Sequence, residues 1–354
     1  MRANPNRASV IVVVLVTVGF AALLLARMLQ SSAPDVLIAM RAADRDRLQA
    51  DAYAALETTL AVLQVYREAD GGLFAPAQGW GDPLTQGDFV PRSGVEVGVT
   101  FADESGKLSL PGMSQETLSK ILEQSGLDRS AAGRVADAMF AWMHPGHRPA
   151  EMTTDARAYE RADIPFTTPG RPLRSFAELA QIAVACDFLH DESGEPNRVQ
   201  EEFRRQVSLY QFAATNVNAA PRDVLLAAGV DAALADRLKR APGDKNQREY
   251  FRSAQAAGVT AGSFGAQIQA LRINITVRKG AAQFRLSALV TWEGLASLPA
   301  PVPVPLAKTA VRAAASPEPA ANEPERVRLE YPFTILELID TALPVPEANH
   351  APIT

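Results

Sequence analysis

Hydrophobic and polar positions divide the chain into segments of different period. The first is an uncharged run from Ala8 to Ala26, bracketed by Arg7 and Arg27. At about 1.5 Å rise per residue, a helix of this length approaches the roughly 30 Å hydrocarbon core of a bilayer, so a transmembrane helix is predicted. Apolar positions then recur at helical spacing in Leu56, Leu60 and Leu63, beside polar Asp51, Glu57 and Arg67. A wetted stretch, Asp44, Arg45, Asp46 and Arg47, precedes them. The pattern predicts one long helix from the membrane to about Ala69, bent near Pro34 and ended by Gly71-Gly72.

After a loop rich in Gly, Pro and Asp (71 to 92), the period becomes two. Val95, Val97 and Val99 alternate with Glu96, Gly98 and Thr100, which predicts a strand. It leads through Phe101 to Gly106 into Lys107-Leu108-Ser109-Leu110, read as a hairpin around Ser105-Gly106. Helical signals dominate from Ser114 to about Gln255. Strands return at Ile268 to Val277 and Gln283 to Trp292, separated by Lys279-Gly280. Residues 295 to 325, rich in Pro, Ala and Val, read as an extended, flexible loop. A last strand, Val327 to Leu338, places Leu329, Tyr331, Phe333 and Ile335 on one face, and Pro332 within it marks an edge strand. The order predicts an α+β fold: a long N-terminal helix on an antiparallel sheet, with a large inserted all-α domain at 111 to 262. The head then comprises 71 to 110 and 263 to 354.

The helical block contains an echo. Ile121-Leu122, Gly126-Leu127-Asp128, Ala132, Arg134, Val135 and Ala138 recur as Val224-Leu225, Gly229-Val230-Asp231, Ala235, Arg237, Leu238 and Ala241 with the same spacing. Each copy reads as a helix-hairpin-helix unit: a helix ended by glycine, a hydrophobic turn residue, and an Asp that caps the next helix.

Charge and cysteine usage narrow the function classes. Lys and Arg number 35 against 40 Asp and Glu, a net charge of -5, which argues against a general nucleic-acid binder. The single Cys186, in the apolar stretch from Ile182, excludes an intramolecular disulfide and reads as a buried structural thiol. Arg2, Arg7 and the amino terminus precede the apolar run, so the positive-inside rule puts the N-terminus in the cytoplasm and everything after Arg27 across the membrane. The alternative is a cleaved signal peptide, but its apolar region would be long, and Ser31-Ser32-Ala33 runs straight into Pro34. No Gly-x-Ser-x-Gly elbow and no phosphate-binding motif is present, so no enzyme is expected. His144-x-x-His147 encloses Pro145-Gly146 and has no third nitrogen or sulfur ligand nearby, which speaks against zinc. Asp187, Asp191, Glu192 and Glu195 form an acidic loop, read as solvated; the first three are the candidates for a metal.

Several motifs resemble those of the K-type minor pseudopilins of bacterial type II secretion systems. Asp103-Glu104-Ser105-Gly106-Lys107-Leu108-Ser109-Leu110 is similar to the family's Asp-Glu-Ser/Asn-Gly-Lys-Ile-Asn-Leu. Trp142 closes a helix as the family's tryptophan does. Tyr159, Pro165-Phe166 and Ser175-Phe-Ala-Glu178-Leu179 resemble its Tyr, Pro-Tyr and Ser-x-x-Glu-Leu, and Asn216-Val217-Asn218-Ala219-Ala220-Pro221 its Asn-Val-Asn-Thr-Ala-Pro. The likeness covers roughly residues 7 to 245 and keeps the motif order.

The resemblance implies a pseudopilin-like fold and a structural role at the tip of a periplasmic pseudopilus, helping to start its assembly and the export of folded proteins. It implies a leader at 1 to 8 cut by prepilin peptidase, with Arg7, Ala8 and Ser9 at the site and N-methylation of Ser9. An inner-membrane helix at 9 to 28 and its amphipathic continuation at 29 to 70 would follow. Val10, Val13, Val14, Leu15, Val18, Phe20 and Leu23 would pack against partner helices, and the partners implied are other minor pseudopilins and inner-membrane secretion components. Val13 takes the fifth mature position, where most pseudopilins carry Glu. A tip subunit has no neighbour above whose amino terminus such a carboxylate would compensate. Family members often hold calcium in an Asp-rich loop after the tryptophan; here Met143-His144-Pro145-Gly146-His147-Arg148 lacks hard oxygen ligands, so no cofactor is expected at this loop, calcium on Asp187, Asp191 and Glu192 being the alternative. Two rivals share the anchor: a type IV pilus tip protein, and a membrane-anchored helix-hairpin-helix DNA receptor. Against the second, Asp128 and Asp231 stand where such hairpins use a glycine to approach phosphate, and carboxylates there repel the DNA backbone.

Overall fold

The computed structural model describes residues 5–150, 159, 168–239, 250–260, 262–298 and 332–344. α1 (Pro5–Asp70) is one helix of 66 residues, roughly 100 Å long, which carries on through Pro34. Its two parts have different surroundings. Val13, Val14, Leu15, Val18, Phe20 and Leu23 are all exposed. From Leu48 onward, Ala52, Ala55, Leu56, Leu60 and Leu63 are buried against a sheet. Among the described residues no helix is long and apolar enough to cross a membrane. Gly71, with φ of 72°, ends α1 in the left-handed conformation that favours glycine.

The loop that follows holds a 3₁₀ turn (Pro76–Gln78) and a short helix, α2 (Pro83–Gln86). It folds Trp80 completely under the sheet. Gln78 organises this loop: its Oε1 accepts from the backbone N–H of Phe74 and Ala75 and from Trp80 Nε1.

Four antiparallel strands form the sheet, in the order β1 (Glu96–Asp103), β7 (Leu271–Lys279), β8 (Ala282–Thr291), β10 (Thr334–Pro344). Along β7, Leu271, Ile273, Ile275 and Val277 are buried while their neighbours are half-buried. Phe284, Leu286, Ala288 and Val290 of β8 join the same core. At about 1.5–3 kcal/mol for each fully buried large aliphatic side chain, this contact with α1 is the main force that seats the helix on the head. β7 and β8 are joined at Gly280-Ala281 with Lys279 opposite Ala282, and Gly280 has φ of 57°, as a tight hairpin requires.

Several expectations need correction. β1 does not fold back at Ser105-Gly106. Glu104–Gly106 is a 3₁₀ turn, held because Asp103 accepts from Ser105 and Glu104 N–H bonds Ala270 O. The chain thereby leaves the sheet, and β2 (Leu108–Ser109) pairs in parallel with β3 (Val207–Ser208). The last strand begins after Pro332, which has no N–H for the ladder, and runs on to Pro344. Phe333, just ahead of the strand, is 3% exposed beside Trp292, whereas Ile335 is 42% exposed, so the two do not share one buried face; the pairing with β8 shifts register between Ile335 and Glu337. Leu329 and Tyr331 lie outside the described residues. Cys186 is half-buried, because Val184, Ala185 and Leu189 take the inward positions of its short helix.

The block between β2 and β7 is not wholly helical. Among its described residues the helices are α3 (Gln115–Gln124), α4 (Arg129–Met143), α5 (Ala183–Leu189), α6 (Arg198–Gln206), α7 (Arg222–Ala227) and α8 (Ala232–Lys239). Between α6 and α7 come β3, β4 (Gln211–Phe212) and β5 (Thr215–Asn216). β4 pairs antiparallel with β9 (Ala296–Ser297), and β5 pairs in parallel with β6 (Phe264–Gly265). The start of the Pro-Ala segment is therefore a strand; residues 299 to 325 lie outside the described ones. In each echoed turn a glycine takes a positive φ, 120° at Gly126 and 89° at Gly229, and the Asp that follows caps the next helix. Asp128 accepts from Ser130 and Ala131 N–H, and Asp231 from Ala233 and Leu234 N–H. α3 packs against both α4 and α7. One core gathers Leu118, Ile121, Val135, Met139, Trp142 and Phe203, and another gathers Val217, Val224, Leu225 and Val259.

Candidate functional site

The motif residues fall into two places. Asp103, Glu104, Gly106, Lys107, Asn216, Asn218 and Pro221 meet where the end of β1, the loop after α1 and the helical block join. Asp103 Oδ1 accepts from Ser105 N at 2.9 Å and from Ser105 Oγ at 2.5 Å. Its Oδ2 accepts from Asn216 Nδ2 at 2.7 Å. Asn216, fully buried, also donates to Phe74 O at 3.1 Å, and its Oδ1 accepts from Asn218 N at 3.0 Å. One amide thus ties the loop after α1, the end of β1 and the strand β5 together. Asn218 continues the tie: Nδ2 donates to Phe251 O and Ala266 O, and Oδ1 accepts from Phe251 N at 2.7 Å.

Burial pushes the Asp103 carboxyl up to about 6, against the hydrogen bonds from Ser105 and Asn216, which favour the charged form; Glu104 adds a repulsion. Lys107 is taken by Glu104, 3.1 Å away. Gly106 is required by close approach rather than by its backbone angles. A Cβ there would stand 2.8 Å from Ala219 Cβ and 3.0 Å from Ala219 C. Pro221 precedes α7 with φ of -58° and opens that helix.

The second place is the core of the helical block. Trp142 and Tyr159 meet edge to face, 5.5 Å between centroids, and Tyr159 Oη accepts from Ala183 N–H. Glu178 accepts from the N–H groups of Arg174 and Ser175 and pairs with Arg171 at 3.2 Å, closing a capping box with Ser175. These groups hold backbone; none is arranged around a reacting atom.

Other candidates are dispersed. Asp191 Oδ1 is occupied by Ser193 N, Ser193 Oγ and Glu195 N, and the Ser193 hydroxyl foremost keeps its carboxyl below the usual range. It closes a turn, and Asp187 and Glu192 do not join it as ligands. His147 Nε2 meets Asp137 Oδ1 at 2.7 Å, while His144 stacks on Phe140. Among the described residues no group of three or more His, Cys, Asp or Glu could hold a metal ion. Arg7, Ala8, Ser9 and Val10 lie on α1, and their side chains lie outside the described residues.

Some junction residues carried no sequence signal. Gln269 Oε1 accepts from Ala213 N and its Nε2 donates to Ala214 O, and its own N–H donates to Ser105 Oγ. Glu337 collects Tyr210 Oη at 2.9 Å and Arg272 at 2.6 Å, linking β10 to the helical block. Burial, then the bond to Glu337, raises the Tyr210 phenol above its ordinary value.

A family model described as type II secretion system (T2SS), protein K matches residues 104–185. The segment holds Glu104, Gly106, Lys107, Trp142, Tyr159 and Glu178, whereas Asp103, Asn216, Asn218 and Pro221 lie outside it. The solved structure of the GspK-GspI-GspJ complex from the type 2 secretion system of enterotoxigenic Escherichia coli is 13% identical, covering 72% of this chain and 95% of that chain at a TM-score of 0.49. No curated protein matches the chain.

Proposed function

We propose that this chain is a minor pseudopilin of a type II secretion system, a structural subunit held in the inner membrane by the first part of α1, with its head in the periplasm. The observation that carries this reading is the division of α1. One continuous helix exposes apolar side chains from Val13 to Leu25 and buries Leu48 to Leu63 on the sheet, and the matched segment follows in the same head. Exposed apolar length of this kind needs lipid or neighbouring helices around it. Val13, Val14, Leu15, Val18, Phe20 and Leu23 are the packing surface, and the partners are other minor pseudopilins and inner-membrane secretion components. The bulk of the helical block, inserted between Asp103 and Leu271 at the last rung of the β1–β7 ladder, suits the tip of a filament better than its shaft, where subunits stack on every side. The role is assembly, not catalysis.

The test is the mature terminus. Intact mass and N-terminal analysis of protein taken from membranes, with and without prepilin peptidase, should show a form beginning at methylated Ser9 that disappears without the peptidase. An unprocessed Met1 terminus would remove the assignment, and cleavage near Ala33 would mean a soluble periplasmic protein.

A further inference from the structure

Beside the Asp103 knot lies a cleft of about 210 Å³, walled by Phe74, Trp80, Phe101, Ile268 and Leu271 and edged by Ala219. Its walls are apolar except for Asp103 and Asn218. Asn218 is fully occupied, with both amide hydrogens donated and its oxygen accepting. Asp103 is only half-buried, and Oδ2, with one donor from Asn216, retains accepting capacity. The nearby cations are engaged elsewhere: Lys107 with Glu104, and Arg252, which lies over Phe74, with Asp70 at 2.6 Å. Glu104 adds negative charge, and among the described residues Asp103 makes no ion pair. A carboxylate in the lining of an apolar cleft, without a counter-ion among the described residues, is a combination that selects a particular guest. The guest needs a compact positive head and an aliphatic stem. A hard divalent ion fits poorly, because one carboxylate against hydrocarbon supplies too few oxygens.

We propose that this cleft binds an organic ammonium, its alkyl stem against Phe74, Phe101 and Leu271 and its charged head on Asp103 Oδ2. The same chemistry comes from a free alkylamine or from a lysine side chain of another protein.

The test uses the full chain in detergent and isothermal titration with n-butylammonium chloride, with sodium chloride at equal ionic strength as control. Saturable binding with a roughly millimolar dissociation constant is expected for so small a guest. A carboxyl that titrates at about 6 is about one-tenth ionised at pH 5, so binding should weaken about tenfold between pH 7.5 and pH 5. Asp103→Asn should abolish it. Phe101→Ala, which removes part of the apolar wall but keeps the carboxylate and its hydrogen bonds, should also abolish measurable binding, and serves if the first variant does not fold. N-acetyl-lysine amide separates the sources: its binding would point to a partner's lysine, and its exclusion while butylammonium binds would point to a free amine. Binding that never saturates, does not change with pH, or survives both substitutions would overturn the proposal.

Discussion

Replacing Gly106 by alanine probes the junction with a single carbon. The added Cβ would stand 2.8 Å from Ala219 Cβ, 3.0 Å from Ala219 C and 3.2 Å from Ala220 N. Carbon pairs sit best at about 3.5–4.0 Å, so two backbones must part by roughly half an ångström or more. Neither has freedom to do so. Glu104 N–H is bound to Ala270 O on one side, and Ala220 N–H is bound to Asn216 O on the other. Overpacking of this kind costs about 1–3 kcal/mol, while the loss of glycine's freedom in the unfolded chain returns about 0.4–1 kcal/mol. The clash wins, and Gly106→Ala should destabilise by about 1–2 kcal/mol. Ala219→Gly in the same chain removes the nearest atom and leaves the two backbone atoms, so it should recover about half of the loss. Urea unfolding of the four proteins in a double-mutant cycle measures this as a coupling of about 0.5–1 kcal/mol. A Gly106→Ala protein as stable as the parent, or a coupling of zero, would refute the close-approach argument.

Other outcomes follow from single groups. The raised Asp103 carboxyl holds its proton in the folded state to about pH 6 but only to about 3.8 when unfolded, so its stabilising share is complete below pH 3.8 and is lost as pH rises through 6. With a discount for its partial exposure, that loss is on the order of 2 kcal/mol. The stability difference between parent and Asp103→Asn should change by this amount between pH 4.5 and pH 7.5, and parallel profiles in urea titrations would contradict it. Asp128→Ala removes the acceptor for two N–H groups at the start of α4 and should cost about 1 kcal/mol, read as a lower urea midpoint, while Asp128→Asn costs less. Phe333→Ala should cost about 3 kcal/mol by emptying the space beside Trp292, with Trp emission changing in the native state; Ile335→Ala, exposed, should stay within about 0.5 kcal/mol.

Legibility in the sequence followed the range of the interactions concerned. Leu56, Leu60 and Leu63 announce the packed half of α1 because one sheet dictates one helical stripe. Lys279-Gly280 announces the β7–β8 turn for the same local reason. The three two-residue strand pairs were invisible, since two residues carry no period. Strand residues followed by Ser-Gly suggest a hairpin, but Asp103 diverts the chain by bonding two residues ahead, a competition that hydrophobic pattern does not record. At the junction, Asn216 and Asn218 were singled out by likeness alone. The partners of Asn216 stand 142 residues away at Phe74 and 113 at Asp103, those of Asn218 stand 33 away at Phe251 and 48 at Ala266, and nothing local to either asparagine signals the bond.

The register of β1 and β7 gives the helical block an unusual relation to the sheet. Asp103 is paired directly with Leu271, so the chain departs and returns through one doorway, at the last rung of a ladder. To the sheet, everything between them is a single closed loop, and doubling the length of a flexible loop costs only about 0.6 kcal/mol. The head is therefore free to host a cassette of almost any size there. Excising 104 to 270 in favour of a short turn should leave α1 and its four strands with the same ladder to form. A scaffold built this way can acquire a bulky, specialised crown at one end without renegotiating the framework beneath it.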